Sequence, residues 1–201
     1  MGSTNRKALI YDPYWDSLGG GEKYMATIAK ILSDYGLSVD IYWPQNISVS
    51  IFDRFGLDLS KINFVPSYST RDYDLIFWNS DGSLPLSLAK KTFITMQFPH
   101  HGVSGHNLKN LIKSKFYTFL ANSKFTKSVI DREYWVKSQV LYPPIRTNDF
   151  KIGPKFNQIL YVARFSNLAQ AKGHETLITS FKNISKQIPD WKLILAGNTN
   201  I

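Results

Sequence analysis

The stretch ALIYDPYWDSLGGGEKYMATIAKILSDYGLSVDIYW, residues 8–43, decides the fold. Its first residues, 8–11, form a short apolar run that is typical of a buried strand. Residues 22–35 repeat their apolar side chains at the spacing of one helix face, and Gly36 ends that helix. The repeated apolar residues are Met25, Ile28, Ala29 and Leu32. Residues 38–43 predict a second strand, so the stretch as a whole predicts a parallel βαβ unit.

The same alternation of strands and helices continues along the chain. Four further apolar runs predict strands at residues 74–79, 93–98, 117–121 and 140–142. Amphipathic patterns between them predict helices at residues 107–115 and 124–135, the second with Ser123 as its N-cap. The sequence therefore predicts an α/β protein with a Rossmann-like parallel sheet. Ligands of such sheets bind outside the carboxyl ends of the strands.

A change of composition after residue 142 predicts a domain boundary. A first domain covers residues 1–145, and the polar stretch 146–156 predicts a linker. Residues 157–201 then begin a second Rossmann-like domain, with strands at 158–164 and 191–197 and a helix at 174–187. One βαβ unit cannot cover both faces of its own parallel sheet. We therefore expect this second domain to be incomplete, and its bare strand edge predicts self-association.

Composition excludes several classes of protein. The chain has 201 residues, 43% of them hydrophobic, which is enough for a packed core. It has no cysteine, so disulfides, cysteine-based zinc sites and thiol nucleophiles are excluded. No apolar run approaches the ~20 residues of a membrane span, and residues 1–7 lack the apolar core of a secretory signal. We therefore expect a cytoplasmic protein.

The charge of the protein is positive and unevenly distributed. The formal net charge is +9, and residues 90–137 hold nine Lys or Arg against two acids. Within this segment, residues 107–116 combine an apolar stripe with three lysines, Lys109, Lys113 and Lys115. A basic amphipathic helix of this kind can lie on an anionic membrane. Leu108, Leu111 and Ile112 more commonly form the core-facing side of a surface helix, and we favour that interpretation.

Gly19, Gly20 and Gly21 lie between the first predicted strand and the first predicted helix. Glycines let the backbone approach a ligand closely, and the N–H groups of a helix N-terminus bind phosphate. The pattern is neither the dinucleotide fingerprint nor a P-loop. A flexible turn before a helix explains the three glycines equally well.

Two other sets of polar residues follow predicted strands. Arg164 and Lys172 flank the first loop of the second unit, where two cations could hold a diphosphate, although loop cations are more often merely solvated. Gln97 and His100 follow the strand at residues 93–98. A histidine there could act as an acid or base, or donate to a sugar hydroxyl, but surface histidines are a serious alternative. His100, His101 and His106 lack the spacing and the carboxylate of a metal site, so we expect no metal.

Four stretches, taken together, resemble a known family. They are LGGGEKY at residues 18–24; FPHH at 98–101; ANSKFTK at 121–127 followed by VLYPP at 140–144; and ILYVARF at 159–165, continued by KGHETLI at 172–178 and WKLILAG at 191–197. In this order they resemble the retaining glycosyltransferases of family 4, the group 1 enzymes with the GT-B fold, over nearly the whole chain. The glycines with Glu22, and Tyr142 with its two prolines, are similar to mannosyltransferases that extend lipid-linked oligosaccharides.

The resemblance implies an enzyme that transfers a hexose from a nucleotide-diphosphate sugar to a lipid-linked or polysaccharide acceptor. It implies retention of configuration, with neither a metal nor another cofactor. Gly19, Gly20 and Gly21 would approach the donor diphosphate, and Arg164 and Lys172 would neutralise it. The family's histidine near the donor sugar corresponds to either Gln97 or His100.

The family also has an E-x7-E segment late in its second domain, and none follows Gly197. We therefore expect the 201-residue chain alone to show little or no transferase activity. The alternative is a non-catalytic subunit that uses its basic face to dock on a partner or on the inner face of a membrane. A nucleic-acid binder is suggested by charge alone, since no recognition motif is present, and we do not expect one.

Overall fold

A computed structural model of the chain describes residues 6–100, 107–163, 165 and 172–197. The strands are β1 Lys7–Tyr11, β2 Ser38–Tyr42, β3 Asn63–Val65, β4 Leu75–Asn79, β5 Lys91–Met96, β6 Tyr117–Ala121, β7 Gln139–Val140, β8 Gln158–Val162 and β9 Lys192–Ala196. The α-helices are α1 Gly20–Asp34, α2 Ser48–Phe55, α3 Leu108–Ser114, α4 Lys124–Tyr134 and α5 His174–Ile184. The chain divides into two compact units, Met1–Ile145 and Arg146–Ile201.

The first unit is built on a seven-stranded parallel sheet with the order β3-β2-β1-β4-β5-β6-β7. The chain runs outward from β1 to β3 and then returns beside β1 as β4. The strand order therefore reverses between β1 and β4, and in open parallel sheets ligands bind beyond the carboxyl ends of the strands at such a point. This sheet confirms the predicted α/β, Rossmann-like fold.

Apolar side chains are buried on both faces of this sheet. Ile10 and Ile41 belong to the larger cluster, together with Met25 of α1, whereas Leu9 and Ile76 belong to a separate cluster. Met25, Ile28 and Ala29 of α1 are buried, as the helix spacing predicted. The short apolar runs of the sequence are therefore strands with both faces covered, which is typical of parallel sheets.

Two elements of the first unit were not predicted from the sequence. Strand β3 lies at the edge of the sheet and buries none of its three residues, so it shows no apolar alternation. Helix α2 buries Ile51, and the partly buried Ile47 and Phe55, four residues to either side, pack against the same core. Strand β3 has only three residues and α2 only eight, and elements this short fall below the window over which periodicity is read.

Helix α3 is oriented differently from the favoured interpretation. We expected Leu108, Leu111 and Ile112 to face the core, but Leu108 and Ile112 are exposed and only Leu111 is half-buried. The side of the helix that faces the rest of the unit carries Ser114, which is buried, and Lys113, whose Nζ donates to the Leu84 carbonyl at 2.8 Å. The core-facing interpretation was therefore wrong for two of its three residues.

The second unit contains one βαβ arrangement, in which β8 and β9 pair in parallel and α5 lies between them in sequence. None of its described side chains is buried.

Ser123 caps α4 in the first unit as predicted, because its Oγ accepts a hydrogen bond from the Thr126 N–H at 3.0 Å. Among the helices in the described part of the chain, none has the length and apolar character that a bilayer crossing requires.

Candidate functional site

Polar side chains stand at the carboxyl ends of four adjacent strands. Asp12 follows β1, Asn79 is the last residue of β4, Gln97 follows β5 and Asn122 follows β6. Because β1, β4, β5 and β6 are neighbours and parallel, these residues lie along one edge of the sheet. This edge includes the point at which the strand order reverses, where ligands of such folds bind.

Three of these side chains form a hydrogen-bonded chain, which we call the carboxyl-edge chain: Asp12, Asn79 and Gln97. Asn79 Nδ2 donates to Asp12 Oδ2 at 3.0 Å, and Gln97 Nε2 donates to Asn79 Oδ1 at 3.2 Å. Gln97 Nε2 also lies 3.4 Å from the Gly21 carbonyl oxygen, which accepts from it. Asn122 Nδ2 donates to the Gln97 carbonyl at 2.8 Å. The chain therefore connects β1, β4 and β5 to the first turn of α1.

Asp12 is the buried acid of this chain. Its side chain is fully buried, and this burial raises the pKa of its carboxyl to about 7. The Tyr14 N–H, 2.9 Å from Asp12 Oδ1, and the Asn79 amide favour the ionised form, whereas the nearby Glu22 carboxylate opposes it. Asp12 thus carries a carboxyl group that can hold or release a proton near neutral pH.

Gly19, Gly20 and Gly21 form the start of α1, as the sequence predicted. Gly19 is the N-cap, and the hydrogen bonds of the helix begin with Lys23 N–H donating to the Gly19 carbonyl at 3.1 Å. The N–H groups of Gly20 and Gly21 therefore lie outside that ladder and are available to an anion. The positive end of the helix dipole lies at the same place.

Glu22 holds the turn in shape. Its buried carboxylate accepts hydrogen bonds from the Gly19 N–H and from Ser17 Oγ, the latter at 2.8 Å. Because the Gly19 N–H already donates to the Glu22 carboxylate, an incoming anion would bind the N–H groups of Gly20 and Gly21 instead. A carboxylate in the first turn of a helix is also favoured by the helix dipole.

The space around the glycines distinguishes their roles. A Cβ on Gly20 would meet nothing within 4 Å, whereas a Cβ on Gly21 would lie 2.9 Å from Gln97 Oε1. A side chain at Gly21 would therefore have to displace the flexible end of Gln97 from its present position. Gly20 presents open backbone, so a ligand can approach it closely.

Gln97 and His100, the two candidates for the family's histidine position, have different surroundings. Gln97 belongs to the carboxyl-edge chain and touches Gly21. His100 is half-buried, and its backbone N–H donates to the Phe98 carbonyl at 3.0 Å. Its Nε2 is buried and has no hydrogen-bond partner among the residues that the structure describes. The assignment of the family's histidine to one of them stays a prediction, and His101 and His106 lie outside the described residues.

The cations of the second unit are only partly described. Lys172 is exposed, and its carbonyl accepts a hydrogen bond from Tyr161 Oη. Gly173 follows with a φ of +72° and begins α5. Arg164 lies outside the described residues, so the predicted pairing of Arg164 with Lys172 stays a prediction.

The sequence analysis missed three polar residues of this edge. Asp12, Asn79 and Asn122 were not singled out, although each directly follows or ends an apolar run, and the carboxyl-end rule would have found them. No group of three or more histidine, aspartate or glutamate side chains suited to a metal occurs in residues 6–100, 107–163, 165 and 172–197.

Comparisons of sequence find no match for this chain among protein-family models or curated proteins. Solved structures do match. A glycosyltransferase from Rickettsia africae superposes with a TM-score of 0.60 at 12% identity, covering 98% of this chain and 69% of its own. Anabaena HepE in complex with UDP and glucose superposes with a TM-score of 0.61 at 16% identity, covering 94% and 60%. HepE in complex with UDP-glucose gives 0.54 at 12% identity, covering 96% and 69%.

The chain has the fold of these glycosyltransferases. The likeness covers 98% and 94% of this chain and therefore extends over both of its compact units. The chain spans only 60% to 69% of the lengths of these neighbours.

Proposed function

We propose that this chain belongs to a nucleotide-sugar glycosyltransferase of family 4 with the GT-B fold. In this proposal the protein transfers a hexose from a nucleotide-diphosphate sugar, with retention and without a metal, to a lipid-linked or polysaccharide acceptor. The first unit supplies the acceptor-side domain, and the second belongs to the donor-side domain. The observation that carries the proposal is the open glycine turn at the carboxyl edge of a sheet whose fold matches HepE, a protein crystallised with UDP-glucose.

The glycine turn suits a diphosphate for two physical reasons. The N–H groups of Gly20 and Gly21 are not used by α1, and the dipole of this 15-residue helix is positive at that end. Donors fixed in place before the reaction stabilise the negative charge that grows on a departing diphosphate. Lys172 and Arg164 supply further positive charge from the second unit in this proposal.

Gln97 is proposed to position the turn while His100 faces the donor sugar. The Gln97 amide holds the Gly21 carbonyl and is itself held by Asn79. His100 Nε2 is buried and makes no hydrogen bond within the described residues, and in this proposal it bonds a sugar hydroxyl once the donor is bound. Asp12, at the far end of the carboxyl-edge chain, keeps Asn79 oriented.

The experiment is a calorimetric titration of the chain with UDP-glucose, using Gly20→Val as the test variant. Valine is no worse than glycine in a helix, and a Cβ at Gly20 meets open space, so the fold is expected to persist. The new side chain covers the N–H groups that we assign to the diphosphate. We expect the affinity to fall about tenfold, which corresponds to ~1.4 kcal/mol.

Gly153 provides the matched control, because a Cβ there also meets nothing within 4 Å. Gly153→Val should leave the affinity unchanged, whereas Arg164→Ala should weaken it. Equal affinities for the Gly20→Val variant and the unmodified chain, with both folded by circular dichroism, would refute the assignment of the turn to the diphosphate.

A further inference from the structure

A second concave site lies at the edge of the seven-stranded sheet opposite to the carboxyl-edge chain. Its volume is about 280 Å³, and its lining comes from the beginnings of β6 and β7 and from the ends of α3 and α4. We call it the amino-edge cavity, because Tyr117 and Gln139 are the first residues of their strands. In a parallel sheet this edge is separated from Gly20 and Gln97 by the length of the strands, so the cavity is not part of the candidate functional site.

One wall of the amino-edge cavity is a stretch of sheet edge that β7 does not cover. Strand β7 pairs with β6 only from Leu120 onward. The Asn122 N–H donates to the Met96 carbonyl on the β5 side, and the backbone groups of alternate residues in a strand point to opposite sides. The backbone groups of Tyr117 and Phe119 therefore point away from β5. Within the described strands, the N–H groups of these two residues lie outside the pairing of β6 with β7.

Lys115 and Lys137 supply the charge of the amino-edge cavity. Both line it, and among the described residues of its lining none is acidic. Neither lysine forms an ion pair with any residue that the structure describes. The last carbonyls of α3 and α4 oppose the lysines with a partial charge of roughly half a unit per helix, which two full positive charges exceed. The cavity therefore attracts an anion.

Trp135 forms an apolar wall of the cavity at a position that does not suit tryptophan. Its φ is +53°, in the left-handed region where a helix usually ends on glycine. The side chain is nevertheless 64% exposed, so core packing is not the reason for a bulky ring at this position. An aromatic ring beside two lysines instead suits a ligand that has both an anionic group and a less polar body.

The volume and the remaining lining define the size and polarity of that ligand. A volume of 280 Å³ lies just below the range of about 300–1,000 Å³ that is typical of sites for drug-sized ligands. The cavity therefore fits one ring with one anionic group and is too small for a nucleotide sugar. Thr118 and Gln139 add a hydroxyl and an amide to the lining, and both groups can form hydrogen bonds with ring hydroxyls.

We propose that the amino-edge cavity binds a phosphorylated monosaccharide. Lys115 and Lys137 hold the phosphate, which suits the point charge of an ammonium group, whereas a carboxylate is better matched by the fork of an arginine. Trp135 lies against the sugar ring, and Thr118 and Gln139 bond its hydroxyls. This site consists only of residues of the first unit, and it does not depend on the nucleotide-sugar assignment.

A small phosphorylated ligand and a long polyanion make different demands on the basic segment. Residues 90–137 contain nine lysines and arginines, and a polyanion would bind across many of them. A phosphate held in the amino-edge cavity depends on Lys115 and Lys137 and is nearly indifferent to the others. The variants below use this difference.

The first test is an NMR titration of the 201-residue chain with glucose 6-phosphate. The amide signals of Val136 and Gln139 and the indole signal of Trp135 should shift, because these residues line the cavity. For a ligand of this size we expect a dissociation constant on the order of 0.3 mM. Glucose and inorganic phosphate each make only part of the contacts and should bind at least about tenfold more weakly. Unshifted signals at about 10 mM glucose 6-phosphate would overturn the proposal.

The second test removes the two charges of the cavity. K115Q/K137Q should weaken the binding of glucose 6-phosphate at least about tenfold. The matched control is K109Q/K124Q, which removes one exposed lysine from each of α3 and α4 outside the cavity lining. The control should change the affinity less than about twofold. Equal losses in the two double variants would overturn the proposal, because binding would then follow net charge.

The third test removes the aromatic wall with Trp135→Gly. Glycine suits a φ of +53°, so circular dichroism should show a folded protein. Glucose 6-phosphate should bind about fivefold more weakly, whereas the affinity for inorganic phosphate should stay within about twofold. Equal losses for the two ligands would contradict the placement of the sugar ring against Trp135. Loss of glucose 6-phosphate binding in Gly20→Val, at the opposite edge of the sheet, would overturn the proposal by placing the ligand at the glycine turn.

Discussion

The two compact units of the chain contain the same supersecondary motif in opposite states of burial. In the first unit, β1 of the β1–α1–β2 arrangement buries its three central residues. In the second, β8 of the β8–α5–β9 arrangement buries none, and Leu160 and Val162 are 57% and 71% exposed. The apolar content of KALIY and QILYV is similar. The difference therefore comes from the elements packed around each strand, such as α1 on β1, and not from the local sequence.

This comparison locates the stability of the molecule. Burial of apolar surface is the main favourable contribution to folding, and only the first unit has buried side chains among the described residues. The carboxyl-edge chain and the glycine turn are built on that unit. The candidate site therefore rests on the stable part of the chain, which holds Gly20 and Gln97 in fixed positions.

The largest expected difference is in hydrogen exchange. Amides of β1, β4 and β5 are central in the seven-stranded sheet and should exchange only on global unfolding. Amides of β8 and β9 belong to a two-stranded sheet and should exchange at least a thousandfold faster, on the order of 4 kcal/mol in opening free energy. Two-dimensional NMR of the chain in deuterated buffer measures both sets together. Equal protection of β5 and β8 would contradict the comparison.

Truncation of one side chain in each unit should give the next largest effect. Ile94 of β5 is fully buried, so Ile94→Ala should lower the free energy of unfolding by about 2–5 kcal/mol. Leu160 of β8 is 57% exposed, so Leu160→Ala should cost less than about 1 kcal/mol. Urea unfolding followed by circular dichroism measures both. A cost for Leu160→Ala as large as that for Ile94→Ala would show that the second unit has a core of its own.

The buried acid of the first unit should make stability depend on pH. The folded pKa of Asp12, about 7, lies above its ordinary value of 3.8, so stability is present at low pH and is lost as pH rises from about 4 to 7. Asp12→Asn removes this loss. The free energy of unfolding of the variant minus that of the unmodified chain should therefore rise by on the order of 4 kcal/mol between pH 4 and pH 8.

Asp131 is the matched control for this titration. Although burial opposes it, the Lys127 ammonium and the Ser138 hydroxyl and N–H hold the pKa of Asp131 below its ordinary value. Asp131 is ionised throughout this pH range, so the difference between Asp131→Asn and the unmodified chain should be nearly constant from pH 4 to pH 8. A constant difference for Asp12→Asn as well would mean that Asp12 titrates like an exposed carboxyl.

Much of the fold was predictable, because it depends on elements that bury a face. Residues 117–121 were predicted as a strand and are β6, and the predicted helix at 22–35 matches α1 closely. Helix α3 was predicted to exist but not to expose Leu108 and Ile112, since periodicity identifies an apolar face without saying what covers it. The predicted self-association of the second unit stays a prediction.

The candidate site was predictable in part. Gly19, Gly20, Gly21 and Gln97 were chosen from the sequence, and the structure brings Gln97 against Gly21. Asp12 and Asn79 were not chosen, because a single aspartate or asparagine after a strand resembles any polar loop residue. Their role becomes visible only when the strand order places β4 beside β1 and so brings the two side chains within 3.0 Å.

The smallest effect concerns how helices begin in the two units. Ser123 caps α4 with its side chain, whereas the N-cap of α5 is Gly173, which has no side chain to do so. Ser123→Ala should cost about 1 kcal/mol of unfolding free energy, because the Thr126 N–H loses its acceptor. Ser128→Ala in the same helix is the control, since Ser128 is exposed and its change should stay within about 0.5 kcal/mol. If Ser123→Ala and Ser128→Ala lower the free energy of unfolding equally, the cap adds nothing to the stability of the first unit. Its greater stability than the second unit would then come from the sheet alone.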